Sequence, residues 1–347
     1  MKPRWLSLLL IATLGISACS EAPLQVYKAK LFTLGTLVDV SVFHPDEAAA
    51  QQAITIVETE LAAINRQWHA WRDSPLTLIN QQLAQGKTVT IDSATHHFIQ
   101  QAQTLAADSD QLFNPTIGSL VELWGFHSDD RPDGAPPAQE KIDAALTQSP
   151  SMANVTLTVT TLTSNHPAVQ FDFGAFGKGY AIDRAVEQLK LAGIKNAIVN
   201  AGGDLRAIGS KGKQPWRIGV RHPTEAGVIA SIETNGDESV FTSGNYERFF
   251  DFDGRRYHHI IDPRSGYPAN DAVSVTVIHN NAATADAAAT ALFIAGTTQW
   301  PQIAKQMGVD KVMLIGNDLT IYMTQKMAQR IHLEIDDAQI KIIGNDT

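Results

Sequence analysis

Five short runs follow one another across polar turns: Trp216 to Arg221, Val228 to Glu233, Val240 to Thr242, Tyr257 to Ile261 and Val273 to His279. Alternating side chains point to opposite faces of a strand, and brief turns join antiparallel neighbours, so this middle section reads as largely antiparallel sheet. Helix-period stretches lie on both sides of it. Leu37 to Phe43 alternates like a strand, after which Ile54, Val57, Leu61 and Ile64 recur at three- and four-residue spacing. Further helices are expected at Thr95 to Ala107, with Phe98, Ala102 and Leu105 inward, and at Tyr180 to Ala192, closed by a C′ glycine at Gly193. A strand at Ala197 to Asn200 follows. Beyond the middle section come helices at Thr284 to Ala295 and Gln299 to Met307, then a hairpin of Lys311 to Ile315 with Leu319 to Met323 across Gly316-Asn317-Asp318. Strands and helices mix without strict βαβ alternation, which predicts an α/β protein of the mixed α+β type and not a doubly wound sheet. Hydrophobic residues make up 44%, enough for the core of one large or two modest domains. Ser128 to Pro137 reads as a surface excursion between two halves.

The amino terminus carries Lys2 and Arg4, an apolar run from Trp5 to Ile16 too short to span a bilayer, and then Ile16-Ser17-Ala18-Cys19. This pattern predicts a signal peptide over residues 1–18, with Cys19 lipidated as the mature first residue and residues 19–31 as a tether. The competing reading is a buried helix ending in a chance cysteine. A single cysteine excludes an internal disulfide framework. The expected location is the periplasmic side of a bacterial membrane, inner or outer, reached through the lipid. Net charge is −9 and no dense Lys/Arg cluster occurs, so nucleic-acid binding has no electrostatic support.

Four segments could carry chemistry. Asp172-Phe173-Gly174-Ala175-Phe176-Gly177-Lys178-Gly179 joins a strand end to a helix start; its glycines, helix N–H groups and Lys178 suit an anion, although a tight turn with a solvated lysine has the same pattern. Asp286 and Thr290 stand four apart on one helical face and offer hard oxygen ligands fit for Mg²⁺, or else a plain helix-terminal aspartate and a self-bonded threonine. Thr242-Ser243-Gly244-Asn245-Tyr246-Glu247-Arg248 precedes His258-His259-Ile260-Ile261-Asp262-Pro263-Arg264-Ser265-Gly266. His259 could be a general base with Asp262 to orient it or replace it, and because neighbours alternate faces at most one of the two histidines points into a site; an ordinary hairpin turn is the alternative. Trp71, among polar neighbours, could cover a flat ring or simply pack.

These segments, in this order, with Leu34-Gly35-Thr36 before them and Asn200-Ala201-Gly202-Gly203-Asp204 between, closely resemble the ApbE family of FAD:protein FMN transferases, from about Phe32 to Gly296. The resemblance implies a T-fold-like architecture over residues 32–335, FAD between two halves, and a tail over 336–347. It implies Mg²⁺ on Asp286, Thr290 and the main-chain carbonyl of Ala175, with Lys178 and Asp172 against FAD. It also implies a flavin side formed by Leu34, Trp71, Leu112, Phe113, Asn114, Ser243, Gly244 and Ile260. This chain departs from the family pattern at Leu34, where methionine is usual, at Asn114, where aspartate is common, and at Ser265, where threonine is usual.

The activity so implied is transfer of FMN from FAD to a Thr or Ser hydroxyl of a partner protein, with AMP released and Lys178, His259 and Asp262 as catalytic residues. Implied partners are flavin-bearing subunits of sodium-pumping NADH:quinone reductase or Rnf-type complexes. A Mg²⁺-dependent FAD pyrophosphatase and a non-catalytic flavin-binding lipoprotein are the rival readings.

Overall fold

Val38, Val40 and Val42 are fully buried while the residues between them are only partly so, the period of a strand with one face on a core. The structure, a computed structural model, describes residues 24–128 and 134–344. Among these residues nine strands form a central sheet whose spatial order follows the chain. They are β1 (Gln25–Thr33), β2 (Thr36–His44), β3 (Ala197–Ala201), β4 (Asp204–Ile208), β5 (Glu238–Gly244), β6 (Ala272–His279), β7 (Val312–Gly316), β8 (Ile321–Thr324) and β9 (Ile340–Ile343). Neighbours are antiparallel except β8 and β9, which run parallel.

Helices cover one face: α1 (Glu47–Trp68), α2 (Ser93–Asp108), α3 (Gly177–Leu191) and α4 (Ala282–Gln306). Their inner stripes join the valines of β2 and β6 in the principal core. A three-stranded sheet of Arg217–Arg221, Val228–Glu233 and Ile331–Leu333 covers part of the other face, where Leu205, Val240, Met313 and Ile315 meet Ile218, Ala230 and Ile232. Covered on both sides, every residue of β4 and β7 is buried. A third cluster packs Leu120, Trp124, Phe126 and Ile142 on the hairpin of Phe249–Phe252 and Arg255–His258.

The expected mixture of antiparallel sheet and helices is therefore present, but the five middle runs are shared among three sheets. Two boundaries need correction. Residues 25–31, read as tether, lie in the edge strand β1, paired with β2 along its whole length. Tyr27, Ala29 and Leu31 pack on the core while Lys28 and Lys30 face away, an apolar-polar alternation that marks a strand and that the reading of residues 19–31 as tether passed over. Residues 340–343, read as tail, form β9. The signal segment and Cys19 lie outside the described residues, as do residues 129–133 of the surface excursion. No helix among the described residues is long and apolar enough to cross a membrane.

Helix α4 breaks at Gly296 (φ 66°, ψ −175°), so the two helical segments expected there are its two halves. Its start is packed hard against α3: a Cβ on Gly179 would stand 2.3 Å from the carbonyl oxygen of Ala282. At this crossing the two helices cap each other. Asp183 on α3 accepts from the Ala282 and Ala283 amides at 2.9 and 3.0 Å, and Asp286 on α4 accepts from the Gly179 amide at 2.8 Å. Asn281 takes the Thr284 amide, and Ala285 bonds back to the Asn281 carbonyl, so the first four amides of α4 all have partners. Gly179→Ala should lower stability by about 2–3 kcal/mol through overpacking, whereas Gly177→Ala, with nothing within 4 Å of its added methyl, should not. Equal urea midpoints for the two variants would contradict this close approach.

Candidate active site

Three chain segments meet at one end of the central sheet. The β1–β2 turn, Leu34 and Gly35, has φ of 56° and 69°, the left-handed pair that matches strand twist in two-residue hairpins. Leucine in that region costs about 1 kcal/mol, so the tip carries strain. Beside it runs the β3–β4 turn, where a Cβ on Gly202 would come within 2.6 Å of the Thr36 hydroxyl. Next comes the end of β5, whose Thr242 amide donates to Asp204 Oδ1 at 2.9 Å.

A cavity of about 510 Å³ opens over these ends. It is lined by most of the residues singled out from the sequence: Leu34, Trp71, Leu112, Phe113, Asn114, Asp172, Ala175, Lys178, Ser243, His259, Ile260, Asp286 and Thr290. Gly244 and Asp262 are not among its walls. A side chain at Gly244 would strike the Tyr246 ring at 2.7 Å, so this glycine answers a packing need. Asp262 gives both oxygens to Arg264, which also donates to Gln299 and to the Ile294 carbonyl. Its carboxylate thereby braces the turn that follows His259.

The loop ahead of α3 is built around Asp172, which accepts from the Gly174 amide at 2.7 Å and from the Trp71 indole at 3.2 Å, turning the indole into the wall. Burial raises the Asp172 pKa against those bonds. Asn114 accepts from Thr116 and donates to the Pro150 carbonyl at 2.9 Å; an aspartate could not make the second bond, which accounts for the amide here.

Lys178 is paired with Asp204. Burial works against its charge, but Asp204, Asp286 and Glu247 outweigh burial and raise its pKa. Burial also pushes Asp286 up to about 7, and Glu247 likewise to about 7, in each case with repulsion from Asp204. Three carboxylates thus face one ammonium. On the same helix face as Asp286, the Thr290 hydroxyl lies 3.2 Å from that of Ser243. No cluster of three His, Cys, Asp or Glu fit for a metal occurs among the described residues. A mixed set of carboxylate, hydroxyl and carbonyl oxygens remains, hard donors suited to a small divalent cation, and the excess negative charge favours one.

The two histidines separate as alternation requires. His258 turns inward, its Nε2 2.6 Å from the Ala269 carbonyl, and burial lowers its pKa to about 4. His259 turns to the cavity, its Nδ1 3.3 Å from the Arg248 carbonyl. A carbonyl only accepts, so Nδ1 carries the hydrogen and Nε2 keeps its lone pair. Burial first, then His258 and Arg248, push its pKa down to about 3, and the ring is neutral.

Sequence reasoning assigned no role to Asp204, Glu247, Arg248, Thr36 or His127, all of which line the cavity. Asp204 had a readable signal, an acidic residue just after a Gly-Gly turn. Thr36, Glu247 and Arg248 stand within the motifs without a task of their own, and the tertiary fold alone brings His127 to the site.

A model of the ApbE family matches residues 34–313. An FAD:protein FMN transferase of Rhodobacter capsulatus is 41% identical over 89% of this chain, which spans only 59% of that protein's length. Another, of Vibrio cholerae, is 30% identical over 90% of this chain and 94% of its own length. Among solved structures, the ApbE protein of Thermotoga maritima superposes with a TM-score of 0.80 at 33% identity, covering 88% of this chain and 99% of that one. The flavin transferase ApbE of Vibrio cholerae gives 0.78 at 29%, covering 89% and 100%.

Because folded His258 resists protonation until about pH 4 and the unfolded ring takes a proton near 6.5, stability should fall as pH drops through that window. The slope from this group approaches about 1.4 kcal/mol per pH unit. His258→Gln should be less stable at neutral pH and show a flatter decline in urea titrations at pH 7.5 and 5; an unaltered decline would contradict the assignment.

Proposed function

The chain belongs to the ApbE family, and on that premise we propose that it is an FAD:protein FMN transferase that moves FMN from FAD onto a Thr or Ser hydroxyl of a partner protein. The observation that carries this reading is the convergence, in one cavity, of Lys178 at the start of α3, Asp286 and Thr290 on α4, and a neutral His259 with Nε2 free.

In this reading the flavin ring lies against Leu34, Trp71, Leu112, Phe113, Asn114 and Ile260, and the diphosphate faces the start of α3, where Lys178 and helix amides favour an anion. Asp286, Thr290 and the Ala175 carbonyl would hold Mg²⁺, which supplies charge neutralisation on the diphosphate when bound. The acceptor oxygen forms a bond to the FMN-side phosphorus, the bond from that phosphorus to the AMP phosphate oxygen breaks, and AMP leaves. His259 Nε2 takes the hydroxyl proton and later yields it to solvent. An arriving diphosphate raises the pKa of His259 from its low resting value, since a nearby anion favours the charged ring. Lys178, already held against Asp204, steadies charge on the phosphoryl oxygens.

The family resemblance further supports acceptors among flavin-bearing subunits of sodium-pumping NADH:quinone reductase or Rnf-type complexes. A lipid on Cys19 would hold the enzyme on the periplasmic side of the membrane, beside them.

The test is incubation with FAD and a candidate acceptor, with and without Mg²⁺, followed by denaturing electrophoresis read for flavin fluorescence. We expect Mg²⁺-dependent labelling with AMP released in step. Asp286→Ala and His259→Ala should each reduce labelling about a hundredfold or more, the first by removing the carboxylate and the second the proton acceptor. Free FMN and AMP without labelling would instead indicate hydrolysis, and intact bound FAD a carrier. Full activity in Asp286→Ala would remove the metal assignment.

A further inference from the structure

His127 lines the cavity, and its ring meets that of Trp71 edge-on, with centroids 5.5 Å apart and planes at 61°. Its Nδ1 is sealed from solvent with no hydrogen-bond partner among the described residues. The residues on either side are clamped, since the Arg248 guanidinium donates to the carbonyls of Phe126 and Ser128. Phe126 in turn is buried near Phe250. Neighbours therefore hold this imidazole in place, and among the described residues no polar bond of its own does.

An unpaired ring nitrogen in a wall is costly if the ring only fills space, because a phenyl would fill it without loss. The cost is understandable if the other nitrogen serves a ligand. Nε2 is not sealed and has no hydrogen-bond partner among the described residues, so the cavity that His127 lines is where it can find one. Among the described residues none dictates the tautomer, and Nε2 can therefore donate to a carbonyl or accept from an N–H.

Resting on the reading that FAD occupies this cavity, we propose that His127 hydrogen bonds through Nε2 to the polar pyrimidine edge of the flavin ring and selects for that edge. The flavin ring is flat, with an apolar dimethylbenzene end and an opposite edge where N3–H lies between two carbonyls. Trp71 offers a surface for the plane, and His127 stands at its border with a group of matching polarity. A site that hydrogen bonds such an edge rejects analogues lacking it, because its own polar atom is then left unpaired.

The test compares FAD with N3-methyl FAD, titrated into the full protein and followed by flavin fluorescence, for the wild type, His127→Phe and His127→Gln. The wild type should prefer FAD about tenfold. His127→Phe should bind FAD about tenfold more weakly and lose the preference, His127→Gln should recover part of both, and KM for FAD should rise with kcat unchanged. His127→Phe with wild-type affinity and wild-type preference would overturn the proposal while leaving the transferase reading intact. If His127→Phe loses stability in urea, the Gln variant decides, and failure of Gln to keep any preference counts against the proposal. A wild type that binds neither compound removes both readings.

Discussion

The mutual capping of α3 and α4 is the interaction on which the site depends. Each helix places an aspartate on the other's first amides: Asp183 on Ala282 and Ala283, Asp286 on Gly179. Unpaired amides at a buried helix start would each cost free energy, and two positive helix ends side by side would repel. Carboxylates between them solve both problems. Asp183 is itself matched by Arg206 at 2.6 Å, which reaches on to Asp237 with two further bonds. Burial raises the pKa of Asp183, and the Ala283 and Ala282 amides and Arg206 act against that rise. Gly179 lets the backbones approach closely enough for the exchange.

This arrangement also places the chemistry. Lys178 sits one residue before the capped amide, so the residue that would face a phosphate is set by the same crossing that orients Asp286. Thr290 follows one turn later on α4 and meets Ser243 from the sheet. Sheet and helices thereby bring their oxygens to one wall, while Asp204, at the end of the β3–β4 turn, holds Lys178 from the other side. The cavity is left with more negative than positive side chains, Asp172, Asp204, Glu247 and Asp286 against Lys178 and Arg248. Burial together with repulsion from Asp204 accordingly pushes Asp286 and Glu247 up to about 7.

The opposite wall depends on the hairpin from Phe249 to His258. Arg248 joins its parts, because its carbonyl receives His259 while its guanidinium holds the loop of Phe126 and Ser128. His258 anchors the same segment to the core through Ala269. Asp262 and Arg264 then tie the following turn to the Ile294 carbonyl, just before the break in α4 at Gly296. Of the residues that read as candidate acids and bases along the sequence, His259 lines the cavity, while His258 is bonded to Ala269 and Asp262 to Arg264.

The amino-acid sequence by itself determined the local elements, the mixture of antiparallel strands and helices, the Asp286 and Thr290 face and the alternation that admits only one of the two histidines. Each of these follows from a period of two or 3.6 residues or from a turn residue, which act over a few positions. It also held the long motifs that mark the family. The edge strand was legible too, since Tyr27, Ala29 and Leu31 alternate with Lys28 and Lys30, but its pairing with β2 is a long-range fact that only the fold supplies. Only the tertiary structure decided that Asp204, Glu247, Arg248 and His127 share the cavity, that Asp262 is taken up by Arg264, and that residues 340–343 close the sheet. Such facts depend on contacts between segments far apart in the chain, where strand order and helix crossing, and not local pattern, set which side chains meet.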